Sequence, residues 1–173
     1  MDPFATLGIE RSFELDIASV EKTHRELSRT LHPDKFAQSG AGERRIALGK
    51  AVEVNEAWRI VKDPIRRAEA LFELVGIAVG ERNEPKPSTV LLMDMMEQRE
   101  TLAEAKAARD MVRVREMAAR IEARAESTER ALADGFRRGE HGTLVHKLGE
   151  LRFYRRFLEE VSVIEDELSH GAA

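Results

Sequence analysis

Cysteine is absent from these 173 residues. Disulfides are therefore excluded, as is cysteine ligation of zinc or of an iron–sulfur cluster by this chain. Aromatic residues make up only 5%, too few for a platform that stacks single-stranded bases. No apolar run approaches the roughly 20 residues a membrane span needs. The start, Met1-Asp2-Pro3-Phe4, lacks the basic opening and apolar core of a signal peptide. A cytoplasm-like compartment is the expected place. A formal net charge of −4 speaks against bulk binding to nucleic acid or an anionic membrane, so any basic patch must be local. The five histidines, His24, His32, His141, His146 and His170, are scattered, and no two sit at the i, i+4 spacing of a helical chelate. Nucleophile elbow, phosphate-cradling glycine loop and dinucleotide fingerprint are all missing. No cofactor, no metal and no enzymatic activity of the chain itself are expected.

What is present favours helices. Apolar residues reach 42% and charged residues 35%, with much Ala, Leu, Glu and Arg and few β-branched runs. Asp2-Pro3 can cap and open a short helix that Gly8 ends, with Phe4 and Leu7 inward. A second helix is predicted over residues 16–31, then a loop from His32 to Gly42. The third runs from Glu43 to Lys62 and buries Ile46 or Ala47, Ala51, Val54, Ala57, Trp58 and Val61. Asp63-Pro64 repeats the cap-plus-proline opening for a fourth helix, which carries Ile65, Ala68, Leu71, Phe72 and Val75 and stops at Gly76.

The stretch 78–88 is rich in proline, glycine and charge and reads as the clearest linker. Three long helical patterns follow. The first spans Ser88 to about Ala108. The next runs from Asp110 to about Asp134, with Val114, Met117, Ile121, Ala125 and Leu132 on one stripe and Gly135 as its stop. The last spans Thr143 to about Ser169 and carries Leu144, Leu148, Leu151, Leu158, Val161 and Leu168. Three amphipathic helices with short connections should pack as an antiparallel bundle. The expected organisation is an all-α chain of two domains, residues 1–76 and 88–173, joined by residues 77–87.

One tripeptide carries chemistry. His32-Pro33-Asp34 follows a helix whose Ile17, Val20, His24, Leu27 and Leu31 recur at the period of one face. Lys22, Arg25 and Arg29 fall on a neighbouring face. Pro33 disfavours helical geometry at His32, so the helix should stop there. The tripeptide then sits at the tip of a helical pair, beside a basic stripe. Taken singly, three basic residues on a helix are usually solvation, and such a loop is usually only a loop.

A second surface follows from geometry. At roughly 100° per residue, Leu91, Met95 and Leu102 share one narrow sector that suffices to join a bundle core. Leu92, Met93 and Met96 lie away from it, with Met93 nearly opposite and Glu97, Glu100 and Glu104 at their border. Phe153 likewise falls off the sector of Leu144, Leu151 and Leu158. An apolar patch with a charged rim suits a binding site, and methionine adapts to a partner's shape. Packing of Leu92 and Met96 against the third bundle helix or the N-terminal domain fits the spacing equally well.

The His32-Pro33-Asp34 setting resembles a J-domain, the module that stimulates ATP hydrolysis by DnaK-type chaperones. Lys22-Thr23-His24-Arg25-Glu26-Leu27, Val54-Asn55-Glu56-Ala57-Trp58 and the junction Lys62 to Glu69 extend the likeness. Phe36 and Arg67-Ala68-Glu69-Ala70-Leu71-Phe72 are similar to the HscB branch. So are the stretches Leu91 to Glu100 and Lys147 to Phe153 in the second half. His24 departs from the pattern, standing where J-domains commonly carry tyrosine, and predicts a weaker packing contact there. The resemblance implies a co-chaperone that brings an IscU-type iron–sulfur scaffold to an HscA/DnaK-type ATPase, with no nucleic acid or membrane partner. It further implies that Lys22, Arg25, Arg29, His32, Pro33, Asp34 and Lys35 meet the ATPase. Leu92, Met93, Met96, Glu97, Arg99, Glu100, Glu104 and Phe153 would meet the scaffold.

Two rival readings differ in testable ways. A J-domain protein serving a different client would not bind an iron–sulfur scaffold through Leu92, Met93 and Phe153. A helical nucleic-acid binder would use Arg25, Arg29, Arg152, Arg155 and Arg156 and give a salt-dependent shift with DNA or RNA.

Overall fold

The computed structural model describes residues 1–80, 83 and 85–170. Glu81, Arg82 and Glu84 of the expected linker, and residues 171–173 of the expected bundle, lie outside the described residues. Among those described, the regular structure is seven α-helices and one short 3-10 turn. The chain divides after Gly80 into two compact units.

The N-terminal unit opens with α1 (Pro3–Leu7). Asp2 caps it, accepting from the amides of Phe4 at 3.0 Å and Ala5 at 3.2 Å, and Gly8 closes it at φ +66°. Burial pushes the Asp2 carboxyl up. Hydrogen bonds from the Ala5 amide and from Arg11 outweigh that and hold it below the usual carboxylate range. Phe4 and Leu7 are buried where α1 packs on the hairpin of α2 (Ile17–Thr30) and α3 (Ala41–Lys62). Val20 is the buried centre of α2, while Ile17, Leu27 and Leu31 are half-buried. Between the helices, Pro33–Phe36 form the 3-10 turn. Asp63 then caps α4 (Pro64–Leu74), accepting from Ile65 N at 2.9 Å and Arg66 N at 3.0 Å.

Some expectations are corrected here. Of the two alternatives on α3 Ala47 is the buried one, while Ala51 and Trp58, expected on the same buried face, are only half-buried at its edge. Val75 is exposed rather than core, since α4 ends one residue earlier and Val75 only caps it. His24, which departs from the tyrosine common in J-domains, does make a packing contact here. Its ring stacks on Trp58 with centroids 5.4 Å apart, and Nε2 lies 3.0 Å from Asn55 Oδ1.

The second unit holds α5 (Thr89–Ala107), α6 (Met111–Arg138) and α7 (His141–His170), each packed on the other two. Met95, Leu102, Met117, Ile121, Phe157 and Val161 meet in its core. Ala125, Leu158 and Leu168, expected in that core, are half-buried and packed at its edge. Gly135 does not stop α6. The helix continues to Arg138, and Gly139, at φ +73°, is the residue that ends it. Gly135 is buried instead, and a Cβ there would overlap the Leu144 side chain. Its missing side chain lets α6 and α7 approach closely at their shared turn, a packing role that resembles a stop signal in sequence.

Candidate functional site

The first face is local. α2 presents Lys22, Arg25 and Arg29 to solvent. Arg25 pairs along its own helix with Glu21. Among the described residues no ion pair engages Lys22, Arg29 or Lys35. His32, Pro33, Asp34 and Lys35 are all exposed. His32 is the N-cap of the turn, its Nδ1 accepting from the Asp34 amide at 3.3 Å. The same nitrogen lies 3.4 Å from Asp34 Oδ2. Pro33 removes a donor and fixes φ at the turn's first position. The tripeptide is thus held by its own local bonds, with all three residues exposed.

The second face is built across helices. On α5, Met95 is 1% exposed and the adjacent Met96 is 69% exposed. Leu92 at 39% and Met93 at 66% share the outer side with Met96, while Leu102 is buried and Leu91 packs at the core edge. Helical period alone separates the two sets, because 100° per residue places neighbours on different sides. Asp94 pairs with Arg124 and holds α5 to α6.

Register joins α5 to α7. Arg99 Nε donates to both carboxylate oxygens of Glu160 at 3.1 Å, and Nη2 lies 2.9 Å from Oε1. One heptad on, Lys106 Nζ lies 2.6 Å from Glu167 Oε2. Both pairs join residues 61 apart, so the helices run parallel at one constant offset. Phe153 stands 61 positions beyond Leu92, the same offset, and Leu91 is the α5 side chain that lines one groove with it. Phe153, off the main sector of its helix as its spacing indicates, is partly covered. It is half-buried against the bundle core and lines a groove of about 510 Å³ with Pro85, Pro87, Leu91, Gly149 and Arg156. Further along the core edge, burial pushes the Tyr154 phenol up, and the Glu150 carboxylate adds to it. The ring therefore stays neutral, as a packed phenol should.

The expected polar contacts divide. Glu97 and Glu100 are exposed, and among the described residues no ion pair engages them. Arg99 is held by Glu160, and Glu104 lies 3.3 Å from Arg113 Nη2. Reading the sequence missed Glu160, because no local signal marks which α7 carboxylate faces Arg99. It also passed over Val90, which stands exposed at the start of α5 and whose apolar character was the available signal.

A helical hairpin with an exposed His-Pro-Asp tip thus precedes a three-helix bundle with an apolar outer face. Residues 88–162 match the family model of the HSCB C-terminal oligomerisation domain. A co-chaperone HscB homologue from Neisseria meningitidis serogroup A is 32% identical over 159 residues, covering 92% of this chain and 96% of its own. One from Aeromonas hydrophila is 31% identical over 169 residues, covering 97% and 98%. Chaperone HscB from Vibrio cholerae superposes with a TM-score of 0.86 at 29% identity, over 97% of this chain and 99% of that one. Human co-chaperone HscB superposes at 0.87 with 24% identity, over 95% and 82%, a likeness of fold. The chain belongs to the HscB family of co-chaperones. No helix among the described residues is long and apolar enough to cross a membrane.

Proposed function

We propose that this protein is a cytoplasmic adaptor of iron–sulfur cluster assembly. It binds an IscU-type scaffold through its bundle, presents it to an HscA/DnaK-type chaperone, and stimulates that chaperone's ATP hydrolysis. Residues 1–76 act as the J-domain, residues 88–173 as the scaffold-binding domain, and residues 77–87 as the join. The observation that carries the reading is the exposed apolar set Leu92, Met93 and Met96 on a helix whose opposite side already fills the core. Such a helix has more apolar surface than its own fold uses.

The two faces work by different physics. Lys22, Arg25, Arg29 and Lys35 steer the J-domain onto an acidic surface of the ATPase, so binding weakens with salt. His32, Pro33 and Asp34 then engage the residues that close the ATPase site. The Asp34 carboxylate accepts a bidentate bond from a partner arginine and moves no proton itself. On the bundle, Leu92, Met93, Met96 and Phe153 bury against the scaffold, and Glu97, Glu100 and Glu104 select a basic rim. Arg99 acts chiefly through Glu160, tying α5 to α7.

Steady-state ATPase measurement of an HscA-type chaperone tests this directly. This protein and an IscU-type scaffold together should stimulate more than the sum of each alone. Stimulation by this protein with no effect of the scaffold would assign the bundle to another client. Absence of any stimulation would overturn the J-domain role.

A further inference from the structure

Of the six methionines, two differ from the rest in place and surroundings. Met93 and Met96 are 66% and 69% exposed on the outer side of α5, whereas Met95 and Met117 are buried at 1% and 0%. Met111 is half-buried, and Met1, also exposed, belongs to the other unit. The chain has no cysteine, so thioether sulfur is its softest electron donor toward oxidants. Susceptibility follows exposure, and oxidation turns a flexible apolar side chain into a polar, chiral one. The most accessible sulfur atoms of the second unit therefore sit on the face whose work is apolar burial.

We propose that Met93 and Met96 form an oxidation site at which peroxide converts thioether to sulfoxide and thereby releases the cargo. Each sulfur gives two electrons to hydrogen peroxide. The O–O bond breaks, one oxygen forms the S–O bond, and the other leaves as water. The sulfoxide oxygen is a strong acceptor that an apolar interface would bury without a donor, which is costly. Core packing is untouched, because neither sulfur contributes to it. Leucine at either position would bury as well and could not be oxidised. The pair therefore supplies a sensitivity to oxidants that apolarity alone does not require. Methionine sulfoxide reductases return both epimers to thioether, so the change is reversible.

The consequence for binding rests on the cargo face proposed above, and the experiment separates the two. The full-length protein is treated with hydrogen peroxide, and fragment mass spectra locate each added oxygen. Met93 and Met96 should be oxidised at least about tenfold faster than Met95 and Met117. Affinity for a purified IscU-type scaffold should then fall at least about tenfold, with helicity and melting temperature retained, and return after reductase treatment. The variant M93L/M96L is judged by the ratio of its affinities after and before peroxide, which should be one. Oxidation spread evenly over all six methionines, or a ratio for M93L/M96L that falls as far as in the parent, overturns the proposal. So does loss of helicity at the same extent of oxidation. If oxidised protein binds as before while L92A and F153A do not bind, the switch is wrong and the cargo face stands. If L92A and F153A also bind as before, the cargo face itself is wrong.

Discussion

On α2 and the turn after it, the seven residues proposed to dock run from Lys22 to Lys35, whereas the proposed bundle face joins α5 to a phenylalanine 61 positions beyond Leu92. The first set needs one helix, one proline and a capped turn. The second needs two helices in a fixed register, held by Arg99–Glu160 and Lys106–Glu167. A local face keeps its shape while its surroundings loosen. A face assembled across helices is only as good as the packing beneath it. The contrast reaches single residues: Met95 and Met96 are neighbours in sequence and opposites in role.

The comparison can be broken most severely at the tip. His32→Gln should abolish ATPase stimulation while leaving the melting temperature unchanged, because His32 is exposed and carries no core packing. Stimulation that persists would sink the contrast from the local side. Next in size, replacing Leu92, Met96 and Phe153 together by alanine should weaken scaffold binding by a hundredfold or more, since truncation at a hot spot costs about 1–4 kcal/mol. Unfolding of the bundle in that variant would instead make these side chains core.

Gly135→Val tests how far the cross-helix face depends on its base. The added side chain would collide with Leu144 and should cost about 2 kcal/mol of bundle stability. Thermal melting followed through Tyr154, the only tyrosine, reads that loss. An unchanged midpoint would mean that α6 and α7 have room to spare there. The smallest effect concerns register. Arg99→Glu and Glu160→Arg should each weaken scaffold binding a few-fold, in line with the roughly 0–1 kcal/mol of a partly exposed pair, and the double exchange should restore it. An exchange as weak as the single changes would mean that Arg99 touches the scaffold itself.

How much of this was legible from the chain follows from where each signal lies. Asp2-Pro3 and Asp63-Pro64 marked two helix starts, because a carboxylate cap and a proline with no amide to satisfy act within one turn. That Met95 and Leu102 share the inner side of α5 followed from period, whereas the exposure of Met96 did not, since its packing against another helix fitted the spacing equally well. Gly135 misled, because a glycine that ends a helix and one that admits a neighbouring helix are the same residue in sequence. Phe153 was half legible: its angle set it off the main stripe, but not how much of it the neighbouring core would cover.

By itself the sequence determined the all-helical class, the Asp2 and Asp63 caps, the place of the His-Pro-Asp turn and which α5 residues join the core. Each depends on interactions within a few residues of chain, and these are the same wherever the helix ends up. Only the tertiary structure decided that Leu91 and Phe153 line one groove, that Arg99 faces Glu160, and that Gly135 lies under Leu144. Those pairings come from how parallel and antiparallel helices slide until their side chains interlock. Slides of one heptad keep the same face inward, so local periodicity cannot choose among them.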